Sequence, residues 1–187
     1  MTFRIRQLGS AALRTDEIDR VRTIMVDAFG DDPDERFTDD DWEHALGGRH
    51  FLVEDDGSIV GHASVVDRAL HVAGQPVHAG YVEAVAIDPA RHGQGLGTRL
   101  MAAVNEYVLG HFELGALGTA EHGFYARLGW QTWLGPTSVR TADGDRRTPD
   151  EDGSILVLVT PTTSAVLAVP LDLRAPLSCE WRPGDVW

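Results

Sequence analysis

The chain has 187 residues, 43% of them hydrophobic, enough to build one core of ordinary size and consistent with a single domain over 1–187. A formal net charge of −13 and a pI near 4.8 would repel nucleic-acid phosphates and anionic lipid, which excludes both as expected partners and favours a cation. The opening MTFRIRQLGS lacks signal-peptide character, no run of about 18 apolar residues occurs, and the lone Cys179 cannot form an internal disulfide, so a cytoplasmic location without membrane contact is expected.

In chain order, Phe3 to Leu8 reads as a first strand. Thr15 to Phe29 reads as an amphipathic helix, with Ile18, Val21, Ile24, Met25 and Ala28 at helical spacing and Gly30 after it. Acidic residues then crowd together: Asp31, Asp32, Asp34, Glu35, Asp39, Asp40, Asp41 and Glu43, relieved only by Arg36. Such a run is either a solvated loop or a surface that meets a cation. A short helix follows over Asp41 to Leu46. Phe51 to Glu54, Asp56-Gly57 and Ile59 to Val66 form a hairpin signature, and a further strand follows Ala73-Gly74-Gln75.

From Tyr81 to Met101, YVEAVAIDPARHGQGLGTRLM, a β-rich run meets Asp88-Pro89, then closely spaced glycines, then a helix with Leu96, Leu100, Met101, Val104 and Val108 on one face. Downstream, Phe112 to Leu117, Gln131 to Leu134, Ile155 to Val159 and Leu177 to Trp181 read as strands and Glu121 to Leu128 as a short helix. Asp143 to Asp152 reads as a long polar loop. The alternation predicts a sheet with helices packed on it.

Gly93, Gly95 and Gly97 precede a helix N-terminus, where unpaired N–H groups and the helix dipole favour an anion and glycine admits a pyrophosphate closely. A sharp strand-to-helix turn would use glycines too. Neither the P-loop pattern nor G-x-G-x-x-G is present. The run does resemble the acyl-CoA loop of the GNAT superfamily, Arg or Gln, two residues, Gly, one residue, Gly or Ala, with His92, Gly95 and Gly97 at those positions. His92 departs from the usual Arg or Gln.

DWEHALGG at Asp41 to Gly48, GYVEAVA at Gly80 to Ala86, GPTSV at Gly135 to Val139, TPDEDG at Thr148 to Gly153 and WRPGDVW at Trp181 to Trp187 extend the resemblance to the aminoglycoside 2′-N-acetyltransferases. What it implies is an α+β GNAT fold, a mixed central sheet with a splayed acyl-CoA-binding strand and helices on both faces. It also implies acetyl-CoA as cosubstrate without a metal, transfer to the 2′-amine of an aminoglycoside as an antibiotic-resistance activity, and a homodimer. A GNAT enzyme for another amino sugar or cell-wall amine, and a noncatalytic acyl-CoA sensor, are the alternatives.

By the same resemblance, Val85, Ala86 and Ile87 offer backbone to the pantetheine arm, and His92, Gly93, Gln94, Gly95, Leu96 and Gly97 hold the pyrophosphate. Glu83 is the expected base. A carboxylate of ordinary pKa about 4.3 is weak for that task, which favours a water relay, and Glu83 could equally hold the substrate as an ion-pair partner. Tyr125 matches the tyrosine near the CoA sulfur and is the expected acid; packing alone would also place a tyrosine there. Asp41, Glu83, Gly118, Glu151 or Asp152, Asp185 and Trp187 match substrate-facing positions, with Gly118 standing where relatives can have serine. Trp187 could instead anchor the tail through its ring. His44 and His50 fit no metal-ligand spacing and read as surface or core histidines.

Overall fold

The computed structural model describes residues 3–30, 36–167 and 170–187. Asp31, Asp32, Asp34 and Glu35 of the acidic run lie outside the described residues. In chain order the elements are β1 (Arg4–Gly9), α1 (Thr15–Phe29), α2 (Asp39–Ala45), β2 (Arg49–Asp55), β3 (Ser58–Val72), β4 (Gln75–Ile87), α3 (Leu96–His111), β5 (Leu114–Gly118), α4 (His122–Ala126), β6 (Gln131–Thr132), β7 (Thr137–Thr141), β8 (Gly144–Arg147), β9 (Ile155–Val159), α5 (Thr163–Leu167) and β10 (Leu177–Glu180). The chain gathers into two units, Met1–Val66 with Val82–Glu106 and Asp67–Tyr81 with Tyr107–Trp187.

In the first unit β2 pairs antiparallel with both β1 and β3. Asp56 and Gly57 take φ of 48° and 83°, the left-handed pair that a two-residue hairpin turn needs to match strand twist. Val21, Ile24 and Met25 of α1 are fully buried and share a core with Leu8, Trp42, Ala45, Leu52 and Ile59, whereas Ala28, expected on the same face, is exposed. Glu17 is buried too, and pairs with Arg6 and Arg14. The buried face of α3 is the one that the spacing predicts, Leu96, Leu100, Met101, Val104 and Val108.

The short helix starts earlier than expected because Thr38 caps it. Asp41 Oδ2 accepts from the Thr38 N–H at 2.7 Å and the Thr38 hydroxyl at 2.7 Å, while Thr38 Oγ1 accepts from the Asp41 N–H at 3.3 Å.

In the second unit β5 pairs parallel with β4 over Ala79–Tyr81 and antiparallel with β9, which also pairs with β6. β10 pairs antiparallel with β3 and parallel with β7. The sheet is therefore mixed. Asp143 to Asp152 is not the long loop that its polarity suggests: β8 closes an antiparallel hairpin with β7, and Pro149–Glu151 form a 3-10 turn. All four β8 residues are exposed, so that strand carries no apolar alternation from which to be recognised. No helix among the described residues is long and apolar enough to cross a membrane.

Candidate active site

β4 ends in the turn that carries the glycine loop. Asp88 accepts from the Ala90 N–H at 2.9 Å and pairs with Arg20, and Arg91 pairs at 2.8 Å with the buried Asp55. These contacts fix the start of the loop from beneath. Arg91, the basic neighbour of His92, is thereby tied to Asp55, and His92 turns its ring back to the Ile87 carbonyl, Nε2 to O 3.0 Å.

Gly93 and Gly95 have φ of 76° and 74°, which L side chains rarely adopt, and open space lies where a Cβ would stand on either. Gly95 then accepts the first bond of the sixteen-residue α3, from the Arg99 N–H at 3.2 Å. Exposed backbone running into a long helix N-terminus fits a diphosphate without help from a basic side chain at position 92.

Within β4, Ala84 has φ of 49°, whereas Asp56 and Ala73, the other described non-glycine residues with positive φ, lie in hairpin turns. Placing alanine there costs on the order of 1–2 kcal/mol, so the surroundings must hold it. The Ala84 carbonyl is bonded to His62 Nδ1 at 2.8 Å, and the Glu83 carbonyl accepts from Ser64 Oγ at 3.4 Å. Glu83 and Val85 flank the kink and are half-buried; Ala86 is buried and Ile87 half-buried. Sequence pattern alone does not reveal the kink, because alanine is not the residue that a left-handed position ordinarily selects.

The second unit holds the remaining expected residues. Tyr125 is 93% hidden on the short α4, edge-on to Phe124 and Trp130, and burial, aided by the Glu121 charge, pushes its phenol up to about 12. Gly118 is exposed at the end of β5; a Cβ there would make ordinary contacts with Tyr81 Oη at 3.5 Å and Ile155 Cδ1 at 3.7 Å.

The acidic positions of this unit separate into two kinds. Asp152 Oδ1 accepts from the Thr137 N–H at 2.8 Å and hydroxyl at 2.9 Å, and Oδ2 pairs with Arg147 at 2.6 Å, which draws the carboxyl down to about 2. That carboxylate holds the β7–β8 hairpin against the following turn.

Glu151 is half-buried instead, and its pKa is raised by burial and then by the charges of Asp185 and Asp150. Asp185 reaches this neighbourhood through the final turn. The buried Trp187 indole donates to Thr148 Oγ1 at 2.9 Å, the Trp187 N–H donates to Asp185 Oδ1 at 3.1 Å, and Arg182 donates to the carbonyls of Asp185 and Trp187 at 2.7 and 2.9 Å. Within TPDEDG, Glu151 feels the charge of Asp185, while Asp152 is engaged by Thr137 and Arg147. Trp187 anchors its segment through the ring. Thr148, which sequence reasoning leaves unassigned, is the contact that seats it.

A kinked strand, a glycine turn and a long helix in that order are the parts of an acyl-CoA-dependent transferase, and residues 11–133 match the family described as an acetyltransferase (GNAT) domain. The chain is 41% identical over 168 residues, 89% of its length and 83% of the relative's, to the aminoglycoside 2′-N-acetyltransferase of Mycolicibacterium fortuitum, and it belongs to that family within the GNAT acetyltransferases.

Solved structures agree on the fold. A GNAT family N-acetyltransferase from Escherichia coli in complex with CoA matches with TM-score 0.65 at 14% identity, over 95% of this chain and 89% of that one. A GNAT family acetyltransferase from Brucella melitensis in complex with acetyl-CoA matches with TM-score 0.54 at 20% identity, over 71% and 84%. The chain spans only about a third of some larger relatives, such as Eis1 from Mycobacterium abscessus, with TM-score 0.57 at 22% identity over 73% of this chain and 33% of that one.

Proposed function

We propose that this protein transfers the acetyl group of acetyl-CoA to the 2′-amine of aminoglycosides and so inactivates them. The observation that carries the acceptor is the carboxylate pair Glu151 and Asp185, in a chain 41% identical to an aminoglycoside 2′-N-acetyltransferase. Burial and then the Asp185 charge raise the proton affinity of Glu151, a cation set against both carboxylates relieves their repulsion, and an aminoglycoside brings several ammonium groups.

In this reading the backbone from His92 to Gly97 takes the diphosphate, and Val85, Ala86 and Ile87 take the pantetheine arm and the acetyl carbonyl. Glu83 accepts the proton of the attacking amine through water, which spares a short carboxylate a direct reach. The acceptor-facing roles of Asp41, Gly118, Glu151, Asp185 and Trp187 rest on the resemblance to the aminoglycoside 2′-N-acetyltransferases, and Asp152 supports the turn that carries Glu151.

Tyr125 acts as a hydrogen-bond donor. With a phenol at about 12 against a thiol near 8.5, full proton transfer to the leaving thiolate is uphill by about 3.5 units, roughly 5 kcal/mol. A retained O–H still stabilises the thiolate by donation.

The same reading takes the protein as a cytoplasmic homodimer, and molar mass in solution from light scattering tests the dimer. Product analysis by mass spectrometry and NMR tests the regiochemistry. Aminoglycosides with a 2′-amine are expected to gain one acetyl there, and those with a 2′-hydroxyl to react poorly. Equal acetylation at another ring amine would overturn the assignment.

A further inference from the structure

A chain of polar groups runs from the exposed Gly47 and half-buried Ser10 through two buried imidazoles and ends on the kink of β4. The Gly47 N–H donates to Ser10 Oγ at 2.8 Å, Ser10 Oγ meets His50 Nε2 at 2.7 Å, His50 Nδ1 meets His62 Nε2 at 2.8 Å, and His62 Nδ1 meets the Ala84 carbonyl at 2.8 Å. Both imidazoles are fully buried, and the Trp42 ring lies 6.0 Å from each.

The direction of every proton in this chain follows from its end. A carbonyl only accepts, so His62 carries its proton on Nδ1, and as a neutral ring presents a bare Nε2. That nitrogen needs a donor, which fixes the His50 proton on Nδ1 and leaves His50 Nε2 bare in turn. Ser10 satisfies it with its hydroxyl proton at 2.7 Å while accepting from Gly47, the Gly48 carbonyl being the more distant acceptor at 3.4 Å. The bonds therefore all run one way and polarise one another. Burial holds both rings neutral, with His50 lowered to about 4 and His62 to about 3.

The Ala84 carbonyl shares a planar trans peptide with the Val85 N–H, which points the opposite way. We infer that Ser10, His50 and His62 are positioning residues that lock the strained Ala84 peptide and thereby aim the Val85 N–H into the acetyl-transfer site. This rests on reading β4 as the acyl-CoA strand. The gain is preorganisation: a donor already oriented toward the charge that develops on the thioester oxygen loses nothing in turning to meet it. His50 and His62 lie on adjacent strands of the Asp56-Gly57 hairpin, with Leu52 opposite His62 and Ser64 opposite His50, so both rings project from the same face.

The test compares His62→Leu, which removes the donor, with His62→Asn, whose amide nitrogen stands close to the place of Nδ1. Leucine is expected to lower kcat tenfold or more with KM for the acceptor within threefold, and asparagine to restore kcat to within threefold of wild type. Wild-type kcat in a folded His62→Leu protein, or equal loss in both variants, would overturn the inference.

Nitrogen-15 spectra of the histidines in the wild-type protein supply a reading that needs no variant to fold: both rings neutral and protonated on Nδ1 from pH 6 to 8. A charged ring or an Nε2–H form of either would overturn it. Acetyl-CoA hydrolysis without acceptor is measured on the same proteins. A wild-type enzyme that hydrolyses acetyl-CoA but ignores aminoglycosides would overturn the acceptor alone, and the variant comparison on hydrolysis still decides the relay.

Discussion

Protonating the buried histidine pair should destabilise the protein in mild acid. In the unfolded chain both rings titrate near 6.5, whereas in the fold His50 titrates at about 4 and His62 at about 3. Between those values the unfolded chain binds more protons than the native one, so stability is fully present above pH 6.5 and is lost as pH falls toward 4. At pH 5 each ring contributes a loss of roughly 1.5 units times 1.36, about 2 kcal/mol, and the pair about 4 kcal/mol. That is a large share of the 5–15 kcal/mol typical of a native protein.

Urea unfolding at pH 7.5, 6 and 5, followed by tryptophan fluorescence, measures it, with His62→Asn as the control. His71, lowered by burial and then by Arg140, adds a loss of the same sign, and Glu151, raised by burial and then by Asp185 and Asp150, opposes it. Both groups are present in wild type and variant and cancel in the comparison. Wild type is expected to lose about 2 kcal/mol more than His62→Asn between pH 7.5 and 5. Parallel loss in the two proteins would refute the assignment of neutral buried rings.

Tyr125→Phe should lower kcat by about 10- to 100-fold, the worth of one hydrogen bond to a charged group, while the binding of acetyl-CoA in calorimetry stays within threefold. Glu83→Gln should lower kcat by on the order of 10²-fold or more without flattening acceptor binding, as expected for loss of a proton acceptor. The two acidic neighbours should part company: Glu151→Gln raises the aminoglycoside KM by about tenfold at low salt, whereas Asp152→Ala leaves KM within twofold and lowers the thermal midpoint by a few degrees, about 1 kcal/mol for a half-exposed pair.

The elements that the sequence disclosed are those whose apolar pattern serves a core. α1 is found over the predicted Thr15 to Phe29, β9 over Ile155 to Val159, and the α3 face at the five predicted residues. β8 stayed hidden because its four exposed residues bury nothing, and the early start of α2 because the Thr38 cap reads only weakly inside an acidic run. The glycine loop was legible from composition and order. The kink at Ala84 was not, since alanine does not mark a left-handed position and the ring bonded to its carbonyl, His62, lies twenty-two residues upstream. His50 was assigned to surface or core and is core; its role as a link toward Ala84 depends on hairpin register, which Asp56-Gly57 supplies only once both strands are placed. Likewise TPDEDG does not show from its letters that Asp152, and not Glu151, is the acid bonded to Thr137 and Arg147.

Cys179 carries the only thiol in the chain, fully buried on β10, its Sγ 3.2 Å from the Val186 carbonyl. Burial pushes that thiol up to about 11. At pH 7.5 the thiolate is then about one molecule in three thousand, where an ordinary cysteine near 8.5 would have about one in ten. An enzyme surrounded by thioester and by oxidised CoA faces self-acetylation and mixed-disulfide formation through any ready thiolate. Here the lone sulfur is kept out of both reactions, so a preparation held for hours with acetyl-CoA should retain its unmodified mass.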